Sequence, residues 1–106
     1  MLKPIKPWAG LAALLLLTGN VCADEPSPAR QKALLSLLKN DCGSCHGLTL
    51  KGGLGPSLLP NALSGKSDDA LLQTIQQGRP GTPMPPWQAF LSKDETQWLI
   101  RKLRQP

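Results

Sequence analysis

Aromatic and imidazole side chains are scarce in this sequence of 106 residues. It has no tyrosine, one phenylalanine and one histidine. No segment shows the strict alternation of apolar and polar residues that indicates a β-strand, so we expect an all-α protein, and the length allows one domain. Charged residues make up 18% of the chain, and no basic run is interleaved with aromatics. This pattern gives no indication of a nucleic-acid partner.

The apolar run near the N-terminus is too short to form a membrane-spanning helix. Two lysines precede the run LAALLLL, whereas a spanning helix needs about 20 apolar residues. The small residues before and at Ala23 are typical of a cleavage site. We therefore expect residues 1–23 to be a signal peptide and 24–106 an exported, periplasmic domain with no stable membrane insertion. The alternatives are a retained anchor and a lipid-modified Cys22.

The expected mature domain is small and only weakly basic. It keeps ten of the twelve basic residues and all seven acidic residues, a net charge of +3. The basic residues Arg101, Lys102 and Arg104 fall at the end of a helical pattern, where they complement the helix dipole. A core of this size is marginal, and small domains often need a disulfide, a metal or a cofactor.

Three helices are predicted from caps and apolar spacing. The first begins at Ser27-Pro28 and runs to about Asn40, the second follows Ser67 and stops at Gly78, and the third begins with a capping box at Ser92. The loops between them are rich in glycine and proline, and such long loops in a small domain usually wrap or bind something. The helices' apolar positions are Leu34, Leu35, Leu37, Leu38, Leu71, Leu72, Ile75, Trp98, Leu99 and Leu103.

The segment CGSCH brings two cysteines next to the only histidine. A thioredoxin-like dithiol needs a βαβ context, which is absent from the pattern. A closed zinc site needs four ligands, and the mature chain offers only Cys42, Cys45 and His46. A disulfide would leave the histidine unexplained. Covalent haem c remains, because positions three apart on a helical turn face the same way. Both thiols then reach one porphyrin edge, and His46 is the proximal iron ligand.

We expect Met84 to be the sixth ligand of the iron, because the mature chain has no second histidine. Once the signal peptide is removed, Met84 is the only methionine, and it lies between Pro83 and Pro85. Rigid prolines reduce the entropy lost in holding the sulfur in place, and histidine–methionine ligation is usual for electron-transfer cytochromes c. The alternative is that Met84 only packs beside a five-coordinate iron.

These motifs resemble those of the class I monohaem cytochromes c. The resemblance covers the whole mature chain and rests on CGSCH, on the sequence GPSL that begins at Gly55, and on Met84. It implies three main helices and long loops wrapped around one covalent haem. It also implies that the carbonyl of Pro56 accepts a hydrogen bond from the proximal imidazole, that Leu58 packs near the haem, and that Trp98 crosses the first helix. The small residue at that crossing would lie near Ala29 or Ala33.

The segments GGLGPSLLP and GRPGTPMPPW resemble more narrowly the small periplasmic cytochromes of the NirC type. That resemblance implies a non-enzymatic carrier of single electrons, with cytochrome cd1 nitrite reductase in denitrification as its redox partner. An accessory role in haem d1 maturation uses the same site and remains open. A gas-binding or peroxidatic haem protein is a further alternative, although no acid–base residue flanks Met84. The expected docking rim around the haem edge comprises Gly43, Ser44, Pro85, Pro86 and Trp87, and Trp87 serves either as a lid or as a docking contact.

Overall fold

The computed structural model describes residues 2–4, 10 and 25–106. The expected signal peptide and its cleavage site at Ala23 therefore lie almost wholly outside the described residues. Within the described part, no helix combines the length and the apolar character needed to cross a membrane.

The same part contains helices and loops and no strand, which agrees with the predicted all-α class. The elements are α1 (Pro28–Leu37), a π-helical turn (Leu38–Cys42), α2 (Gly43–His46), α3 (Pro60–Leu63), α4 (Asp68–Gln77) and α5 (Lys93–Leu103).

Helix α1 begins where its cap predicts, but the helical segment that it starts does not end near Asn40. The Ser27 hydroxyl accepts the Arg30 amide at 3.2 Å, and a proline occupies the first turn. A π-helical turn then continues directly into α2, so the chain stays helical as far as His46. In this turn the Asn40 side chain donates to the Ser36 carbonyl at 3.0 Å. The predicted end of the helix near Asn40 was therefore wrong, and the segment CGSCH lies in the last residue of the π-helical turn and in α2.

The core lies between the first and last helices and is covered by α3, α4 and the loops. Leu34 is fully buried on α1, whereas Ala29 and Ala33 are exposed. The small residue expected at the helix crossing is therefore not found at either alanine. Leu35 is also exposed, contrary to its place in the predicted apolar face. The buried cluster comprises Leu34, Leu38, Leu63, Leu91, Trp98, Leu99 and Leu103.

Helix α5 has the capping box that its sequence predicts. The Ser92 hydroxyl accepts the Glu95 amide at 3.0 Å, and the Glu95 carboxylate accepts the Ser92 amide at 2.9 Å. The other carboxylate oxygen of Glu95 pairs with Arg30 on α1, and Arg30 also donates to the Phe90 carbonyl. One glutamate therefore both starts the last helix and ties it to the first.

The basic residues near the C-terminus have specific partners that the sequence did not indicate. Arg104 donates to the Leu63 and Lys66 carbonyls and pairs with Asp68, so it joins the end of α5 to α3 and α4. The Lys102 ammonium lies 5.1 Å from the centre of the Trp98 ring. Arg104 thus ties the end of α5 to other elements, whereas Lys102 contacts Trp98 on its own helix.

Candidate haem site

Cys42, Cys45 and His46 lie at the end of the continuous helical segment that starts with α1. Cys42 ends the π-helical turn, and the other two belong to α2. Both cysteines are free thiols and partly buried. The Ser44 hydroxyl donates to the Asp41 carbonyl at 2.7 Å and holds the turn between them. The helical spacing expected for two thiols on one side is therefore present.

The loop after His46 provides hydrogen bonds to the carbonyls that the end of the helix leaves free. A helix end has carbonyls without partners within the helix. Here the amide of Gly55 donates to the Cys45 carbonyl at 2.8 Å, and the amide of Gly52 donates to the His46 carbonyl at 2.9 Å. Gly47 has a φ of 88°, so the chain reverses there and the loop folds back over α2. The glycine-rich loop thereby fixes the orientation of the helix end.

The His46 ring is held by the loop on its Nδ1 side. Nδ1 lies 2.7 Å from the Pro56 carbonyl oxygen, which is the contact that the family resemblance implies. An Nδ1–H that donates to a carbonyl leaves Nε2 with the free lone pair, and such a donor also makes the imidazole a stronger ligand. A Cβ on Gly55 would lie 2.8 Å from Cε1 and 2.9 Å from Nδ1 of His46. Only glycine fits there without displacing the ring.

Burial, together with the neighbouring Asp41 carboxylate, raises the pKa of the Cys42 thiol to about 11. The thiol is therefore protonated at neutral pH. A protonated thiol is a poor nucleophile in disulfide exchange. This makes Cys42 unlike the low-pKa cysteine of a catalytic dithiol, and it agrees with the exclusion of that class from the sequence.

Leu58 and Trp87 both pack against the buried cluster. Leu58 is half-buried, and its amide donates to the Leu50 carbonyl at 2.9 Å. Trp87 is half-buried, and its ring meets Phe90 edge to face with a centroid distance of 5.9 Å. Cys42 packs against the same cluster. Leu58, Trp87 and Cys42 therefore all contact the buried cluster.

Met84 is half-buried in the loop between α4 and α5. Its carbonyl accepts the Arg79 amide at 3.1 Å, and its amide donates to the Thr82 hydroxyl at 3.3 Å. Three residues further on, the Trp87 amide donates to the Ile75 carbonyl of α4 at 2.9 Å. His46 and Met84 are thus held by different parts of the chain. Leu58, in the loop after α2, and Ile75, on α4, both pack against the buried cluster.

The available donors fit a covalent haem better than a simple metal ion. Across residues 2–4, 10 and 25–106, no three histidine, cysteine or acidic side chains are grouped so that they could hold a metal. Two free thiols, one oriented imidazole and one thioether in a fixed loop make up the donor set of a c-type cytochrome. Cys42 and Cys45 would hold the porphyrin, and His46 and Met84 would ligate the iron.

The predicted docking rim needs one correction. Gly43 is buried, and a Cβ there would lie 3.5 Å from the Leu48 backbone and 3.6 Å from its side chain. Ser44, Pro85 and Pro86 are exposed. Gly43 is covered because the loop after α2 folds back over this turn, so it does not belong to the predicted rim.

Sequence reasoning missed the positions where backbone lies directly against the site. Gly55 touches the His46 ring, and a Cβ on Gly78 would lie 2.7 Å from the Met84 carbonyl oxygen. Thr82 bonds to the backbone on both sides of the Met84 loop. The only signal was the density of glycine in both loops, which does not say which glycine approaches which group.

Comparisons with known proteins agree on one family. Residues 29–101 match the family model described as "Cytochrome C oxidase, cbb3-type, subunit III". Cytochrome c55X of Pseudomonas aeruginosa is 50% identical over 97 residues, which is 91% of this chain and 82% of that protein. Cytochrome c55X of Paracoccus denitrificans is 46% identical over 92 residues, which is 86% of this chain and 89% of that protein.

Solved structures give the same result. The c-type cytochrome NirC superposes with a TM-score of 0.73 at 54% identity, covering 74% of this chain and 93% of that chain. The dihydro-heme d1 dehydrogenase NirN in complex with DHE superposes with a TM-score of 0.62 at 34% identity, covering 67% of this chain but only 15% of that one. The second likeness is therefore to a small part of a much larger protein. By fold, motif and similarity, this chain belongs to the family of small c-type cytochromes, which are electron carriers rather than enzymes and contain covalently bound haem c.

Proposed function

We propose that this protein is a periplasmic carrier that delivers single electrons to cytochrome cd1 nitrite reductase in denitrification. The observation that carries the proposal is the preformed orientation of His46 by the Pro56 carbonyl, 2.7 Å away. This contact fixes an axial ligand in advance. The similarity to NirC and to cytochrome c55X supports the choice of this pathway.

Four side chains would form the redox centre. Cys42 and Cys45 would hold the haem covalently, and His46 and Met84 would ligate the iron. When bound, the haem supplies a one-electron couple whose potential depends on its ligands and on burial. Pro56 orients the imidazole, and Leu58 contributes to the apolar wall that excludes water.

The ligands are held so that little rearrangement accompanies electron transfer. The Pro56 carbonyl, in the loop that follows α2, holds the His46 ring, and the Arg79 amide, in the loop that follows α4, holds the Met84 backbone. A centre that keeps the same ligands in both oxidation states suits a carrier better than an enzyme, which needs an open or readily vacated coordination position.

The exposed rim of Ser44, Pro85 and Pro86 is the proposed contact with the reductase. Complexes that transfer electrons use small interfaces, under about 1,200 Å² in total. A rim of small side chains and prolines would allow close approach without ordering long side chains. Trp87, which packs on the buried cluster, would act mainly as a lid.

Stopped-flow mixing tests the proposed partner. The reduced holoprotein is mixed with oxidised cytochrome cd1 nitrite reductase, and the absorbance of both is followed. We expect electron transfer, slowed when Ser44 is changed to a bulky residue, with the exposed Ser64→Trp variant as a control on the α3 side of the molecule. Absence of transfer in either direction would contradict this partner.

A second candidate role is electron exchange during haem d1 maturation. It is favoured by the similarity to part of the Pseudomonas aeruginosa dihydro-heme d1 dehydrogenase, at 36% identity over 72 residues. A strain that lacks this cytochrome should then produce nitrite reductase deficient in haem d1. Reductase with a full haem d1 content in that strain would exclude the maturation role and leave only the carrier role.

Two measurements test the other parts of the proposal. Intact mass and N-terminal sequencing of the exported protein should give a chain that begins at Asp24 and carries one haem. Rapid carbon monoxide binding by the reduced native protein would instead favour the gas-binding alternative, because that requires a free iron position.

A further inference from the structure

The loop between α4 and α5 has a hydrogen-bonded turn from Arg79 to Met84. The Arg79 amide donates to the Met84 carbonyl at 3.1 Å, which closes the turn. Inside it, the Arg79 carbonyl accepts the Thr82 amide at 3.1 Å and the Thr82 hydroxyl at 2.7 Å. The turn therefore has its own internal structure, although it contains no helix.

Thr82 bonds to both sides of this turn through one oxygen atom. Its Oγ1 donates to the Arg79 carbonyl and accepts the Met84 amide at 3.3 Å. Proline follows Thr82 and also follows Met84, so neither neighbour of Met84 has an N–H to donate. The Met84 amide is thus the one donor between residues 83 and 86, and Thr82 accepts it.

The other side of the Met84 backbone rests on the end of α4. Gly78 is buried with a φ of 69°. A Cβ on Gly78 would lie 2.7 Å from the Met84 carbonyl oxygen and 2.8 Å from the Pro85 carbonyl carbon. The Met84 segment therefore lies against Gly78 on one side and is bonded to Thr82 on the other.

We propose that Thr82 is a positioning residue for the Met84 thioether, and that its hydroxyl keeps the loop closed with the sulfur on the iron. The proposal rests on the proposed role of Met84 as an axial ligand. The Thr82 hydroxyl contacts the backbone of the loop, at the Arg79 carbonyl and the Met84 amide. It acts by lowering the fraction of molecules in which the loop is open and the coordination position is free.

Added imidazole measures that open fraction directly. A ligand that binds only the open form has an apparent dissociation constant equal to its intrinsic value divided by the fraction open. In the Thr82→Val variant both hydroxyl hydrogen bonds are lost while the shape is kept. Because the loop is exposed and water replaces part of each bond, we expect imidazole to bind about three- to tenfold more tightly.

The test uses the oxidised holoprotein and follows the thioether–iron absorption band during imidazole titration. Thr74→Val is the matched control, because its hydroxyl also donates to a backbone carbonyl, that of Ala70 at 2.9 Å, but on α4 and not in the Met84 turn. Thr82→Ser keeps the hydroxyl and should behave like the wild type. Equal imidazole affinity in Thr82→Val and Thr74→Val would overturn the proposal.

Two further results separate the proposal from the role of Met84 itself. A band present in the wild type and absent in Met84→Ala establishes the ligand, and the Thr82 comparison then decides the positioning role. A wild-type protein without the band contradicts both. A purely structural role for Thr82 would lower the melting temperature without changing imidazole affinity, and this too would overturn the proposal.

Discussion

At the scale of single residues, the site depends on two glycines that lie where no side chain fits. Gly55 lies against the His46 ring, and Gly78 lies against the Met84 backbone. Each sits next to a proposed iron ligand. Small residues at these positions bring the ligand and its support into direct contact, so the loops have little freedom to move the ligand away.

Gly55→Ala is expected to displace the His46 ring. The new methyl group would lie 2.8 Å from Cε1 and 2.9 Å from Nδ1, and relief of this clash weakens the hydrogen bond to Pro56. We expect a lower melting temperature of the holoprotein and a shifted reduction potential, measured by calorimetry and by redox titration.

Gly65→Ala is the control for that change, because a Cβ at Gly65 meets nothing within 4 Å. It should leave both the melting temperature and the potential near their wild-type values. A Gly55→Ala protein that matches this control in both measurements would refute the proposed contact.

Gly78→Ala and Gly81→Ala compare a crowded glycine with an open one. Both glycines have positive φ values, 69° and 78°, where a non-glycine residue costs about 1–2 kcal/mol. Gly78 also has a ψ of −173°, a combination that is nearly confined to glycine. Only Gly78 has close neighbours, whereas a Cβ on Gly81 meets nothing within 4 Å. We expect Gly81→Ala to lower the free energy of unfolding by about 1 kcal/mol and Gly78→Ala by more than about 2 kcal/mol, measured by denaturant unfolding. Equal losses would mean that the contact with Met84 contributes nothing.

At the scale of secondary structure, one ion pair connects the first and last helices. Hydrogen bonding from Arg30, with further help from the Ser92 backbone, lowers the pKa of Glu95 below its usual value of 4.5. The hydrogen bond to Glu95 in turn raises the pKa of Arg30. Because the Arg30 side chain is 42% exposed and that of Glu95 is 19% exposed, solvent screens the pair and its contribution is modest.

The sign of the Glu95 shift sets the pH range in which it acts. A carboxyl whose pKa is lower in the folded state adds stability above its unfolded pKa, and that stability is lost as the pH falls through the folded pKa. We therefore expect the wild type to lose more stability than Glu95→Gln on acidification from neutral pH to below 4.5. Denaturant unfolding at a series of pH values measures this.

Asp94→Asn is the matched control, since Asp94 lies in the same first turn of α5 but is exposed. Its pH dependence should stay close to that of the wild type. If Glu95→Gln and Asp94→Asn have the same pH profile, the Arg30 pair does not contribute to acid sensitivity.

At the scale of the whole molecule, the polypeptide has few residues with which to build a core. Eight hydrophobic side chains are buried in the described part of the chain, while Leu48, Leu54 and Phe90 are more than half exposed there. A core of this size usually stabilises a domain by no more than about 3–5 kcal/mol. Covalent haem would add apolar contacts to this small core.

Removal of the covalent haem should therefore remove most of the stability. The double variant Cys42→Ser, Cys45→Ser is expected to be produced without attached haem and to melt at a much lower temperature, or without a cooperative transition. Circular dichroism and intact mass check this. A haem-free variant that melts like the holoprotein would show that the polypeptide core alone is sufficient.

The sequence by itself determined where the three main helices begin and how they are capped, and it predicted the haem donors. Ser67 and Ser92 cap their helices as predicted, because a cap depends on a few neighbouring residues. The chemistry of Cys42, Cys45 and His46 was equally local, since it follows from their types and their spacing. Periodicity also placed Leu34, Trp98 and Leu99 in the core.

Only the tertiary structure decided which groups meet across long stretches of chain. It continued the first helix through a π-helical turn to His46, where the sequence had predicted an end near Asn40. It placed Gly55 on the imidazole and Thr82 between Arg79 and Met84, and it paired Arg30 with Glu95. These contacts depend on how loops fold back over helices, and that geometry follows from the packing of the whole chain rather than from any short segment.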